Sequence, residues 1–193
     1  LHVPFCNKIC SFCPFHRPDE LDRREYHRYL IEEMHKIQGY PYMKAPIDAV
    51  NFGGGTPTSL SPAQMKEVLT ELKNSFSIAP GAEISVETSA TGLSDGMIEV
   101  LSEGGVNRLS VGIQTFDDGA RRLLGRRGSG EFAASRVAAA IKAGIRNTSV
   151  DLIYNYPAET DAQLANDLEI ISQLDTAGIS FYSLMLHEKT PLY

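Results

Sequence analysis

A buried strand and the start of a helix follow one another in Ile47-Asp48-Ala49-Val50-Asn51-Phe52-Gly53-Gly54-Gly55 and Ser61-Pro62-Ala63-Gln64. The first segment is a short apolar run that ends in glycines, which is typical of a strand buried on both faces. In the second segment, Ser61 is a helix N-cap, Pro62 fits the first helical position, and Gln64 closes a capping box. Apolar residues then recur every third or fourth position as far as Phe76, which indicates an amphipathic helix.

The same strand-then-helix unit recurs along the chain. The sequence predicts strands at 2–4, 47–52, 83–88, 108–114, 148–154 and 179–186. It predicts helices at 19–38, 61–76, 94–104 and 160–177, and a helical region ending near 143. Strands that are separated by helices must run parallel, because each crossover returns the chain to the same end of the sheet.

The expected fold is therefore α/β, either a doubly wound sheet or a (β/α) barrel. A complete eight-stranded barrel takes about 250 residues, so six strands in 193 residues favour a partial, open (β/α)6 barrel of the TIM type. We expect residues 1–193 to form one domain, truncated at both ends and without a second domain.

Composition excludes several broad classes of protein. Hydrophobic residues make up 42% of the chain and charged residues 22%, which predicts a packed globular core. The net charge of −6 counts against a nucleic-acid partner. No apolar run approaches the length of a membrane span, so no membrane partner is expected either.

All three cysteines lie close together, at Cys6, Cys10 and Cys13. An odd number at this spacing is a poor disulfide framework and predicts a reduced, cytoplasmic protein. Three thiolates on one loop can hold three irons of a [4Fe–4S] cluster and leave the fourth iron for another ligand. The alternatives are buried structural cysteines, or a zinc site completed by His16.

Several motifs, each placed after a predicted strand, carry a family resemblance. They are Leu1-His2-Val3-Pro4-Phe5-Cys6-Asn7-Lys8-Ile9-Cys10-Ser11-Phe12-Cys13, Asn51-Phe52-Gly53-Gly54-Gly55-Thr56-Pro57-Thr58, Ser85-Val86-Glu87-Thr88, Asn107-Arg108-Leu109-Ser110-Val111-Gly112-Ile113-Gln114-Thr115-Phe116 and Asp151-Leu152-Ile153-Tyr154. Together they resemble the radical S-adenosylmethionine (radical SAM) enzymes. The flanking residues His2-Val3-Pro4-Phe5 resemble the branch of oxygen-independent coproporphyrinogen III oxidase, the HemN-like branch.

The resemblance implies two cofactors, a [4Fe–4S] cluster and S-adenosylmethionine. It assigns Cys6, Cys10 and Cys13 to the cluster. It assigns the following residues to S-adenosylmethionine: Phe12, Gly53, Gly54, Gly55, Thr56, Glu87, Gln114, Arg126 and Asp151.

Several of these residues could instead have a purely structural role. Gly53 to Gly55 could form only a turn, and Glu87 or Asp151 could be a buried carboxylate paired with Arg108. Some members of the cluster Arg121, Arg122, Arg126 and Arg127 are expected to form only a solvated face. Two residues near the end of the sixth strand, Tyr182 and His187, are candidates for the substrate side.

The resemblance also implies a reaction, in which S-adenosylmethionine is cleaved reductively to a 5′-deoxyadenosyl radical that attacks a porphyrin-type or other organic small molecule. An electron donor such as flavodoxin or ferredoxin would be the protein partner. Pro14 and Phe15 depart from the oxidase pattern, in which we expect Gly and a further Cys. Two alternatives therefore stay open: a C-methyltransferase that uses two S-adenosylmethionine molecules, and a haem-binding chaperone of the same branch.

Overall fold

The computed structural model describes residues 1–15 and 23–193. In this part of the chain, strands and α-helices alternate, except that two helices follow the fourth strand. The strands are β1 (His2–Val3), β2 (Ile47–Gly54), β3 (Ile78–Ser89), β4 (Arg108–Gln114), β5 (Asn147–Tyr154) and β6 (Gly178–Ser183). The α-helices are α1 (Tyr26–Ile37), α2 (Pro62–Ser75), α3 (Asp95–Glu103), α4 (Asp118–Leu123), α5 (Gly130–Lys142) and α6 (Asp161–Gln173).

The six strands form one sheet in the order β1-β2-β3-β4-β5-β6, and every neighbouring pair is parallel. Strand order equals chain order, so the sheet winds in one direction as in a barrel rather than reversing as in a doubly wound sheet. Within the described residues the sheet stays open between β1 and β6. The predicted partial (β/α)6 architecture is thus confirmed.

Side chains of the central strands fill the space between the sheet and the helices. Phe52, Val86, Val111 and Val150, one from each of β2 to β5, are fully buried. Apolar faces of α2, α3 and α5 cover them, which explains why these strands read as nearly continuous apolar runs. None of the helices described is long and apolar enough to cross a membrane.

Local signals set the helix starts as predicted. Ser61 and Gln64 form a reciprocal capping box at the start of α2. Thr160 and Gln163 do the same for α6. Each box satisfies two main-chain N–H groups that a helix end would otherwise leave unpaired.

Several predicted boundaries were wrong. Helix α1 begins at Tyr26, so positions 23–25 of the predicted helix form a turn, and positions 19–22 lie outside the described residues. Strand β3 begins at Ile78, because a register shift against β2 accommodates the segment with Gly81 at φ +82°. Strand β6 ends at Ser183 rather than 186. The helical region before 143 is two helices, α4 and α5.

Candidate active site

The carboxyl ends of the strands surround a cavity of about 380 Å³. The loop that follows β1 brings all three cysteines to this cavity, and each is a half-buried free thiol. The other predicted site residues on its wall are Phe12, Gly55, Thr56, Glu87, Gln114, Arg126 and Asp151. Tyr182 of β6 also lines it. The structure thus places ten of the twelve predicted site residues around one space, the exceptions being Gly53 and Gly54.

Hydrogen-bond donors point at two of the thiols. Thr56 Oγ1 donates to Cys6 Sγ at 3.5 Å, and Arg126 Nη1 donates to Cys10 Sγ at 3.1 Å. Arg126 Nη2 donates to the carbonyl of Gly112 on β4. Hydrogen bonds to the sulfurs are among the features that set the reduction potential of an iron–sulfur cluster.

The start of the cysteine loop is held by Arg23. Its guanidinium donates to the carbonyl of Cys6 and to Oδ1 of Asn7, both at 2.8 Å. The same group stacks over the ring of Phe5, 5.2 Å from the ring centre. Phe5 is buried, so this arrangement ties the first cysteine to the core of the protein.

The three thiols line a common cavity but do not converge on a single metal position. Among the residues described, no three His, Cys, Asp or Glu side chains are gathered closely enough to hold a single metal ion. His16, which the zinc alternative requires, lies outside the described residues. Soft thiolate donors around a common cavity suit an iron–sulfur cluster, which is larger than one ion.

The polar side of the cavity comes from β3, β4 and β5. Glu87 lies on β3 and is exposed to the cavity, while Asp151 of β5 accepts hydrogen bonds from Ser110 Oγ at 3.0 and 2.9 Å. The alternative pairing with Arg108 was wrong, because Arg108 pairs with Glu83 at 3.3 Å. Both carboxylates of the cavity thus remain available to a ligand.

Gln114 is the most unusual residue of the cavity wall. Its side chain is 9% exposed, and its Oε1 atom has no hydrogen-bond partner among the described residues. Its φ is +68°, a left-handed conformation that a residue with a side chain seldom adopts. A buried, unpaired acceptor on a strained backbone is a feature that ligand sites retain and packed cores avoid.

The glycine run ends β2 against the backbone of β1. A Cβ on Gly55 would lie 2.5 Å from the carbonyl oxygen of Phe5, and a Cβ on Gly54 would lie 2.8 Å from that of Val3. A Cβ on Gly53 would approach Oε1 of Glu87 at 3.0 Å. Close packing of this kind explains why no side chain fits here, and contact with S-adenosylmethionine stays a prediction for these positions.

Arg121 is a site residue that no sequence motif indicated. Within the arginine cluster it is buried, at 1% exposure, whereas Arg122 and Arg127 are exposed. Residue type alone suggests that Arg121 is exposed to solvent. Its burial is signalled by the apolar C-cap residue Leu124, which lies three positions later on the same face of α4.

Asp167 of α6 lies behind the end of β4 and is also buried. Its Oδ1 accepts from the main-chain N–H of Phe116 at 2.8 Å. Burial raises the pKa of this carboxyl, although hydrogen bonds from Thr115 and Phe116 act in the opposite direction. Asp167 therefore braces the turn that follows Gln114.

Comparison with known proteins decides the family. The sequence model of the radical SAM superfamily matches residues 1–171. The chain belongs to this superfamily. Its members use a [4Fe–4S] cluster and S-adenosylmethionine, the two cofactors that the sequence predicted.

Individual relatives place the radical SAM chain in the HemN-like branch. It is 31% identical over 189 residues to the heme chaperone HemW of Lactococcus lactis, covering 98% of this chain and 49% of the relative. It is 36% identical over 166 residues to the oxygen-independent coproporphyrinogen III oxidase of Bradyrhizobium diazoefficiens, covering 84% of this chain and 37% of that protein.

A solved structure agrees with this placement. Coproporphyrinogen III oxidase (HemN) from Escherichia coli superposes with a TM-score of 0.84 at 29% identity, covering 95% of this chain and 43% of that one. The radical SAM chain spans less than half the length of these three relatives.

Proposed function

We propose that this chain is the catalytic core of a coproporphyrinogen oxidase-like radical SAM oxidoreductase that acts on a porphyrin-type or other organic substrate. The supporting observation is the single cavity that gathers three free thiols and four polar side chains at the carboxyl ends of the strands: Glu87, Gln114, Arg126 and Asp151. When bound there, the cluster and S-adenosylmethionine supply reductive cleavage of a carbon–sulfur bond to a 5′-deoxyadenosyl radical.

The donor set of the chain fits both cofactors. Cys6, Cys10 and Cys13 would hold the cluster, and the loop contacts of Cys6 and Cys10 keep their sulfurs on the cavity wall. The unpaired Oε1 of Gln114 would accept a hydrogen bond from a ribose hydroxyl. Ser110 holds Asp151 in one orientation, which prepares its carboxylate for a second hydroxyl.

Arg126 would bind the carboxylate of S-adenosylmethionine. Its Nε is buried and has no partner among the described residues, while its two terminal nitrogens donate to Cys10 and Gly112. A carboxylate beside Nε would satisfy this donor and receive a charge-assisted hydrogen bond. The side chain would thus connect a cluster thiolate and the cofactor.

An acidic one-electron donor of the flavodoxin or ferredoxin kind is the proposed protein partner. Asn7, Lys8 and Ile9 of the cysteine loop are exposed, so the loop is accessible from outside the protein. A lysine at this position would attract an acidic donor and bring it close to the cluster. Free thiols and an oxygen-sensitive cluster favour a reduced compartment such as the cytoplasm.

The test is an anaerobic assay of the reconstituted protein with a chemical reductant and S-adenosylmethionine. Formation of 5′-deoxyadenosine is expected from the native chain and not from Cys10→Ala. Coproporphyrinogen then serves as substrate, and vinyl products would support the oxidase reaction. Transfer of a labelled methyl group would instead indicate a methyltransferase, and stoichiometric haem binding without cofactor cleavage would indicate a chaperone.

A further inference from the structure

A second arginine, Arg121, is buried in the cavity wall and joins two segments of that wall. Nη1 of Arg121 donates to the carbonyls of Ile113 at 3.1 Å and Thr115 at 2.8 Å. Its Nε donates to the carbonyl of Gly128 and its Nη2 to that of Arg127, each at 2.8 Å. One guanidinium therefore connects the end of β4 to the loop between α4 and α5.

Burying the charged guanidinium of Arg121 costs free energy that burial of an apolar side chain would not. Burial and the nearby charge of Arg126 lower the pKa of the Arg121 guanidinium, while Asp118 and Asp167 act in the opposite direction. An arginine nevertheless keeps its proton in proteins. Four carbonyl acceptors offset part of the desolvation cost, and they require the planar fork that only arginine has.

The two segments that Arg121 connects, the end of β4 and the loop between α4 and α5, each contain a residue of the proposed cofactor site. Gln114, at φ +68°, lies between Ile113 and Thr115, whose carbonyls both accept hydrogen bonds from Arg121. Arg126 directly precedes Arg127, whose carbonyl is one of the two acceptors in the loop. The main-chain N–H of Arg126 also donates to the carbonyl of Arg121 at 2.7 Å. The guanidinium therefore sets the distance between the backbone segments of Gln114 and Arg126.

The same loop is attached to the cysteine loop. Ser11 donates from its N–H to the carbonyl of Leu124 at 3.2 Å and from Oγ to that of Leu123 at 2.7 Å. Gly125 has φ +71°, and a Cβ there would lie 2.9 Å from the nitrogen of Ser11. The path from Arg121 through this loop thus reaches the residue that follows Cys10.

We propose that Arg121 is a positioning residue for S-adenosylmethionine. Its four hydrogen bonds to main-chain carbonyls hold Gln114 and Arg126 in position, so that their polar groups can bind the cofactor. All three nitrogens of its guanidinium already donate to main-chain carbonyls, so it acts on the cofactor through Gln114 and Arg126. The inference rests on the proposed function, because it presupposes that these two residues bind S-adenosylmethionine.

The test compares Arg121→Lys with Arg122→Lys in the cluster-loaded protein. Arg122 is the exposed neighbour on the same helix and serves as the matched control. We expect Arg121→Lys to keep its cluster but to bind S-adenosylmethionine about 10-fold more weakly, the lower end of what loss of a supporting residue costs. Its reduced-cluster electron paramagnetic resonance signal should respond less to S-adenosylmethionine. Native affinity and an unchanged response in Arg121→Lys would overturn the proposal.

A double-variant cycle separates positioning from a general structural role. If Arg121 acts partly through Arg126, the variant with both Arg121→Lys and Arg126→Met loses less affinity than the product of the two single losses. If the loss of affinity in the double variant equals the product of the two single losses, the two residues act independently. That result would overturn the claim that Arg121 acts through Arg126.

A variant of the loop keeps the proposal testable if Arg121→Lys does not fold. Gly125→Ala leaves Arg121 intact but forces the loop away from Ser11, and it should also weaken the binding of S-adenosylmethionine. Native affinity in Gly125→Ala would contradict the role of the loop. If the native chain itself binds no S-adenosylmethionine, the proposed function fails; native binding with unaffected variants rejects the positioning role alone.

Discussion

Arg126 Nη1 donates a hydrogen bond to Cys10 Sγ across 3.1 Å, joining residues that lie 116 positions apart in the sequence. The loop between α4 and α5 brings Arg126 to this place, and Gly112 accepts a second hydrogen bond from the same guanidinium. The contact links the residue proposed to bind S-adenosylmethionine to a residue proposed to bind the cluster. Changes at one position should therefore be detected at the other.

Arg126→Met removes a positive donor from a cluster sulfur. We expect the midpoint potential of the bound cluster to become more negative, because loss of a hydrogen bond to sulfur disfavours the added electron. Affinity for S-adenosylmethionine should fall about 10-fold or more. Anaerobic redox titration and equilibrium dialysis measure the two effects, with Arg122→Met as the control. An unchanged potential would mean that the contact with Cys10 does not persist around the cluster.

Gly55→Ala should destabilise the fold where the cysteine loop meets β2. The added Cβ would lie 2.5 Å from the carbonyl oxygen of Phe5, beside Cys6, so the backbone must move. Overpacking of this kind costs about 1–3 kcal/mol in the free energy of unfolding. Gly178→Ala is the matched control, because a Cβ there meets nothing within 4 Å. Urea unfolding measures the free energy of unfolding of both variants. Equal values for Gly55→Ala and Gly178→Ala would contradict the packing argument.

Asp167→Asn should change how stability depends on pH. Burial raises the pKa of Asp167 in the folded state, so the folded protein binds this proton more tightly than the unfolded chain. The stabilisation is complete below the unfolded pKa and is lost as pH rises through the folded pKa. Asn keeps an oxygen for the N–H of Phe116 but does not titrate.

The native chain should therefore lose stability relative to Asp167→Asn as pH rises from below the ordinary carboxyl pKa through the raised pKa of the folded state. Urea unfolding at several pH values measures this difference. A difference that stays constant over the range, or that changes in the opposite direction, would show that the pKa of Asp167 is not raised in the folded state.

Lys8→Glu should slow reduction by an acidic protein donor. Lys8 is exposed on the cysteine loop, and a carboxylate there would repel the donor. Stopped-flow measurements with reduced flavodoxin should show a slower rate whose deficit shrinks at high salt. Lys44→Glu is the control. Lys44 lies just before β2, at the amino-terminal end of the strands and therefore away from the cysteine loop. Rates with a small chemical reductant should not change, and an unaffected flavodoxin rate would place donor docking elsewhere.

Much of this arrangement followed from the sequence alone. Glycines end the run at β2, Glu87 lies near the end of β3, and Gln114 ends β4. Parallel strands place such residues at one edge of a sheet, so their approach to the cysteine loop was predictable. The capping boxes at Ser61 and Thr160 likewise fixed two helix starts.

Buried polar groups were the features that local patterns could not reveal. Arg121 is buried because four carbonyls from two separate segments surround it, and none of these acceptors is visible as a motif. His27 of α1, a polar residue within a helix, is likewise buried, against Gln64 and Glu67 of α2. Both cases depend on contacts between distant parts of the chain, which override residue preference.

The most direct test is the metal and sulfide content of the anaerobically reconstituted chain, compared with Cys10→Ser. The account predicts about four irons and four sulfides per native chain. The spectrum of the cluster should change when S-adenosylmethionine is added, and iron retention should be much lower in Cys10→Ser. Zinc without sulfide in the native protein, or undiminished iron and sulfide in Cys10→Ser, would contradict it.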